Sequence, residues 1–197
     1  NDAATFVDSR MHDNGNYGLY LSYGDRNEVR GGEVFGNARH GMVLYGEGNR
    51  IHGVHGYGNG NSAIYVSHNG LGSEVYDNRL HDNGSHGIDA NGVVRVYANV
   101  SYGHTSGSSA GIYLTGGAQA ESNESYGNWS GLTLSSDCQA RANRLYGNSS
   151  RGVQVESGGG TVVAGNAIYA NPTGIYVNAY YNYGVTLANN LIYASSS

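Results

Sequence analysis

Val163-Ala164-Gly165-Asn166-Ala167-Ile168-Tyr169-Ala170-Asn171-Pro172-Thr173-Gly174-Ile175-Tyr176-Val177 shows the plan of the chain in one stretch. Its first half reads apolar, two residues, Asn, one residue, apolar, aromatic. Its second half is a Gly-apolar-X-apolar unit. Alternation over three to five residues is the pattern of short strands. Gly and Asn between them suit the left-handed and turn conformations of corners.

Working outward, the second unit recurs from Gly18-Leu19-Tyr20-Leu21 through Gly41, Ala63, Gly87, Gly111, Gly131 and Gly152 to Gly174, at spacings of 23, 22, 24, 24, 20, 21 and 22. The first unit recurs with it. Its ring position reads His12, Phe35, Tyr57, His81, Tyr102, Tyr126, Tyr146, Tyr169 and Tyr193, and Asn precedes the ring by three residues at Asn78, Asn99, Asn123, Asn143, Asn166 and Asn190. A fixed period near 22 marks a solenoid, because one coil cannot bury its apolar side alone and stacked coils can. The expected fold is all-β: a right-handed, single-stranded parallel β-helix of about eight coils, without regular helices, as one domain over residues 1–197. At ~4.8 Å per coil the rod is roughly 40 Å long. The repeat runs from Phe6 to Tyr193 and leaves no cap at either end, so the expectation is a fragment of a longer protein or a subunit that joins end to end.

Composition narrows the function. The 33 glycines lack a Gly-X-Y period and there is a single proline, which excludes collagen. The ten basic residues are all arginine and the net charge is −5, so no nucleic-acid partner is expected. Without lysine, a lysine base is excluded from this chain. No apolar run reaches the ~20 residues of a membrane span. Cys138 has no internal partner and falls in an inward column with Val94, Ala118, Thr161 and Val185, as an inert core residue. His12 and His81 belong to the ring column and read as structural. His52, His55, His68 and His104 fall in turns or beside strands, and no pair has metal-ligand spacing. Asp13-Asn14-Gly15-Asn16 and Asp82-Asn83-Gly84 lack the acidic series and closing Glu of a Ca²⁺ loop, so they read as corners. No metal or cofactor is implied.

Three columns of the Gly-apolar-X-apolar strand point outward. They carry Tyr17, His40, Ser62, His86, Ala110, Ser130, Arg151 and Thr173; then Tyr20, Val43, Tyr65, Asp89, Tyr113, Thr133, Gln154 and Tyr176; then Ser22, Tyr45, Ser67, Asn91, Thr115, Ser135, Glu156 and Asn178. Aromatic rings with Ser, Thr and Asn suit a polysaccharide, rings against C–H faces and polar groups against hydroxyls. The candidate binding residues are Tyr20, Tyr45, Tyr65, Asn91, Tyr113, Arg151, Gln154 and Tyr176. Asp89 is the one acid in its column, with Tyr65 and Tyr113 a coil to either side, His86 on its own strand and His40 two coils from His86. Asp89 and His86 are the candidates for proton transfer at a sugar C5, with Tyr65, Tyr113 and His40 assisting. The competing reading is a non-catalytic structural or adhesive solenoid that assembles end to end.

Leu80-His81-Asp82-Asn83-Gly84, Phe35-Gly36-Asn37 and Leu145-Tyr146-Gly147-Asn148, each followed by a Gly-apolar strand, resemble the carbohydrate-binding and sugar-hydrolase β-helix repeat. Within that group the scaffold is most similar to the catalytic modules of secreted mannuronan C5-epimerases. The resemblance implies a polysaccharide partner, epimerase- or lyase-like chemistry and a secreted or cell-surface setting. The stretch His86-Gly87-Ile88-Asp89-Ala90-Asn91-Gly92 is similar to that family's Tyr-Gly-Phe-Asp-Pro-His-Glu signature. It keeps the Asp at Asp89, has His86 for the Tyr and Asn91 for the His, and lacks the Pro and Glu. Arg39-His40-Gly41-Met42 resembles the family's Arg-His-Gly-Phe, but lies two coils before Asp89 rather than after.

Overall fold

The computed structural model describes residues 3–67, 70–178 and 184–194, which contain strands, turns and bends but no helix. His68 lies outside the described residues. Twenty-six strands form three parallel sheets. Sheet A runs from Thr5–Val7 to Thr186–Ala188 in nine strands, sheet B from Arg10–His12 to Leu191–Tyr193 in nine, and sheet C from Leu19–Leu21 to Thr173–Val177 in eight. The first eight coils each give one strand to each sheet, and Thr186–Ala188 and Leu191–Tyr193 add a ninth strand to sheets A and B. Repeat-equivalent residues pair, as in Val75↔Val96, Leu80↔Ser101 and Ile88↔Ile112.

The core is the stack of inward columns. Val29, Ile51, Val75, Val96, Ala140 and Val163 fill it from sheet A, and Ile64, Ile88, Ile112, Leu132 and Val153 from sheet C, all fully or almost fully buried. Sheet B carries the weak inward column Gly56, Ser101 and Ser125, and the structure explains it. The Ser101 hydroxyl donates to the Gly111 carbonyl and the Ser125 hydroxyl to the Gly131 carbonyl, both at 2.8 Å, so each serine ties sheet B to sheet C inside the core. A Cβ at Gly56 would lie 2.8 Å from Leu80 Cδ2. The ring column therefore points outward. Its nine rings stack continuously at 4.6–5.2 Å, nearly parallel, from His12 to Tyr193.

Buried asparagines close the corners. Asn78, Asn99, Asn123, Asn143, Asn166 and Asn190 form a ladder in which each Nδ2 donates to the next Oδ1 at 2.9–3.0 Å. A second ladder was not anticipated. It sits two residues after each ring, at Asn14, Asn37, Asn59, Asn83, His104, Asn128, Asn148 and Asn171. His104 takes an asparagine's place in it. The Asn83 N–H donates to His104 Nδ1 at 3.1 Å, the His104 N–H donates to Asn128 Oδ1 at 3.0 Å, and His104 Nε2 meets Ser101 Oγ at 3.1 Å. The left-handed corner residues are often not glycine: Asp77, Ala98, Ser122 and Ala142 hold φ of 53–55°. The asparagine following each of them binds both neighbouring coils, which holds the turn in this costly conformation.

Candidate functional site

The strands of sheet C lengthen from three residues at Leu19–Leu21 to seven at Arg151–Ser157. Their outward columns line up as the spacing implies, with Asp89 in register with Tyr65 on one side and Tyr113 on the other. The face is less open than expected. Only its two ends show strongly exposed rings in the middle column, Tyr20 at 49% and Tyr176 at 40%. Between them Val43, Ser62, Ser67, Ala110, Ser130 and Thr133 are buried although they point outward. Large side chains lean along the axis over small ones. Tyr113 reaches two coils on, where its hydroxyl donates to Glu156 Oε2 at 3.2 Å.

Asp89 sits in this recess, and burial alone lifts its carboxyl from 3.8 to about 6. His86 is pushed down to about 4, chiefly by burial, and its Nδ1 accepts the Ala110 N–H at 3.0 Å. A neutral imidazole with Nδ1 accepting carries its proton on Nε2. His86 Nε2–H is thus available as a hydrogen-bond donor at neutral pH. Its ring stacks on Tyr113 at 5.0 Å. Burial and the Glu156 carboxylate push Tyr113 up to about 12, and burial and Asp89 raise Tyr65, so both phenols stay protonated. His40 tilts against Tyr65 at 5.2 Å, and burial and Arg39 lower it. The geometry brings together one base, Asp89, and several donors: Tyr65, Tyr113 and His86 Nε2–H.

The remaining candidates form flanking groups. Tyr20 and Tyr45 pack at 5.8 Å toward one end, with Tyr17 against Tyr20. Toward the other, the Arg151 guanidinium lies over Tyr176 at 4.1 Å and over Trp129 at 5.1 Å, donates to Gln154, and Gln154 donates to Glu156 at 3.1 Å. Trp129 and Glu156 escaped the expected site. The lone tryptophan stands immediately before Ser130 of the first outward column, and Glu156 lies in the third column, so both were visible as neighbours of named positions. Asn91 pairs in register with Thr115.

Among the described residues, the buried side-chain polar atoms without a hydrogen-bond partner are Ser62 Oγ, Ser67 Oγ, Thr115 Oγ1, Ser130 Oγ and His40 Nδ1. All five belong to the outward columns of sheet C. For His40, the Ser62 backbone lies close enough to act on the imidazole. The four hydroxyls lie within two coils of Asp89. Among the described residues there is no group of three or more His, Cys, Asp or Glu that could hold a metal ion, and no helix long and apolar enough to cross a membrane.

A three-sheet parallel solenoid with one recessed outer face is the class that fold and site define. The family model described as "Right handed beta helix region" matches residues 1–101 and 92–192, and the chain belongs to that family. Among curated proteins, none matches the chain in sequence. A mutant of the periplasmic alginate epimerase AlgG is similar in structure, with a TM-score of 0.80 at 19% identity over 96% of this chain and 50% of that one. The A-module of the Azotobacter vinelandii mannuronan C-5 epimerase AlgE6 gives 0.79 at 20% identity over 97% and 58%. The pectate lyase Pel9A gives 0.67 at 17% identity over 98% and 58%. The chain therefore spans about half the length of these structures, and at such identities the likeness is one of fold.

Proposed function

We propose that the outer face of sheet C binds a polysaccharide along the solenoid axis and that Asp89 exchanges the C5 proton of a sugar bound over it. The observation that carries this reading is the concentration of partnerless buried hydroxyls around a buried carboxylate on one sheet face. Among the described residues the other buried side-chain polar atoms are hydrogen-bonded, and unpaired ones are costly unless something else satisfies them. A glycan supplies hydroxyls that both donate and accept, and it reaches these atoms when the large side chains that lean over them move aside. The similar structures named for alginate epimerases and a pectate lyase support a carbohydrate-active reading, and the periplasmic setting in one of those names supports a location outside the cytoplasm.

Asp89, ionised above about pH 6, takes the C5 proton. Tyr113 or Tyr65 returns one for epimerisation, while loss of the C4 leaving group instead gives a lyase. C5–H abstraction needs a carboxylate at C6 to acidify it, yet Arg151 is the sole arginine in the three outward columns. The substrate is accordingly a mixed polysaccharide with uronate units at intervals rather than a dense polyanion.

The test is incubation of the intact chain in D₂O with alginate, pectin and mixed uronate-containing glycans, read by NMR for deuterium at C5. Exchange that vanishes in Asp89→Asn supports the proposal. Exchange that persists in the variant, or none on any glycan, overturns it.

A further inference from the structure

Toward one end of sheet C, Arg151 is held in a way that leaves part of its guanidinium for a ligand. Its strand, Arg151–Ser157, lies between Ser130–Ser135 and Thr173–Val177. Trp129 comes from the preceding coil and Tyr176 from the following one, and the guanidinium lies over both rings, at 5.1 Å and 4.1 Å. A guanidinium stacks its faces on aromatic rings while its N–H groups stay in its plane. With both faces covered, the edges remain. Nη1 donates to Gln154 Oε1 and takes one corner. The Nε–H and Nη2 edge, which can grip a carboxylate with two parallel bonds, has no hydrogen-bond partner among the described residues.

No acid of the described residues neutralises Arg151. The arginines in ion pairs there are Arg10, Arg50, Arg95 and Arg144. Glu156, on the same strand as Arg151, accepts instead from Tyr113 and Gln154. Gln154 thus stands between the two charges, accepting from one and donating to the other. It fixes the guanidinium without cancelling its charge, as a carboxylate in that place would. Arg151 is half-buried, so its charge is screened less than at an open surface, and the exposed Thr173 stands in register beside it on the next coil.

Resting on the glycan reading of sheet C, we propose that Arg151 binds the carboxylate of a second uronate on the same polysaccharide, and so selects which sugar units are presented to Asp89. From Asp89 the register runs through Tyr113 and Thr133 to Gln154, three coils on. At ~4.8 Å per coil, the Arg151 strand stands about 14 Å along the axis from Asp89. One sugar unit does not span that distance, so Arg151 does not touch the sugar over Asp89. It is a specificity residue rather than a catalytic one. Chains that carry a uronate at this interval gain a two-bond contact, and chains with a neutral sugar there lose it. In sequence the site is hidden, because Trp129, Arg151 and Tyr176 meet only through coil stacking.

The experiment uses Trp129, the one tryptophan of the chain, as its reporter, because its ring lies against Arg151. The intact chain and Arg151→Gln are titrated with oligogalacturonate and oligoalginate long enough to cover the three coils. Methyl-esterified oligogalacturonate, which keeps the hydroxyls and loses the charge, is the control. The expected result is a saturable change in Trp129 fluorescence with an acidic oligosaccharide. Affinity should fall at least tenfold for the ester, and at least tenfold in Arg151→Gln, as loss of hydrogen bonds between charged groups implies. No response to either acidic glycan, equal affinity for acid and ester, or equal affinity in wild type and Arg151→Gln overturns the inference. Should the variant misfold, acid against ester on the wild type decides alone. Fluorescence reports binding without turnover. Arg151-dependent binding without C5 exchange would therefore sink the role of Asp89 alone, and C5 exchange with Arg151-independent binding would sink this inference alone.

Discussion

Replacing Asp89 by Asn should stabilise the fold at neutral pH while abolishing proton exchange. Burial raises the carboxyl from 3.8 to about 6. At about 1.4 kcal/mol for each unit of pKa, ionised Asp89 costs the folded state about 3 kcal/mol relative to the unfolded chain. The folded pKa lies above the unfolded one, so the protonated group's advantage is complete below 3.8 and is lost as pH rises through 6. Asn is neutral throughout and nearly the same shape. Wild type and variant should therefore have similar stability near pH 4 and diverge to about 3 kcal/mol in favour of the variant by pH 8. Urea unfolding at pH 4, 6 and 8 measures this, since the midpoints shift with stability at constant slope. A variant less stable than wild type at pH 8, or a difference independent of pH, would refute the reasoning that the recess holds a poorly solvated charge.

His104 is fully buried and pushed down to about 4, mainly by burial, so its folded pKa lies below the unfolded one. Stability should fall by about 3 kcal/mol from this group as pH drops from 6.5 to 4, and His104→Asn, which restores the ladder residue, should remove that loss in acid unfolding curves. Asn123→Ala should cost roughly 2–4 kcal/mol of stability in urea unfolding, because Asn123 accepts from Asn99, donates to Asn143 and donates to the Val96 carbonyl at 2.9–3.0 Å. Ala142→Gly should raise stability by up to about 1 kcal/mol, since Ala142 holds φ at 53°; a loss would show that the corner stores no strain. Glu156→Gln should slow C5 exchange without abolishing it, because Glu156 accepts from Tyr113 rather than facing the sugar.

The period and alternation of the sequence made the coils, the three outward columns and the neighbours of Asp89 legible, because in a stacked solenoid register follows directly from spacing. The Asn78–Asn190 ladder was legible for the same reason. The second ladder was equally periodic, but its Asn sits mostly in Gly-Asn and Asp-Asn corners that read as generic turns, so its burial went unseen. The direction in which side chains lean was not legible. Tyr113 crossing to Glu156 and Arg151 lying between Trp129 and Tyr176 depend on rotamers and on which neighbours are small. Such leaning turned a face expected to be open into a recess. The desolvation that separates Asp89 from His86 follows from that recess, which no column of letters displays.

Glycan-array binding by the intact chain, with Tyr65→Ala and Tyr113→Ala alongside, tests the central claim most directly. The account predicts binding to a uronate-containing polysaccharide that weakens at least tenfold in both variants, as two aromatic contacts at the centre of the face are removed. Binding unchanged in both variants, or no binding to any polysaccharide, would contradict the assignment of sheet C as a glycan face.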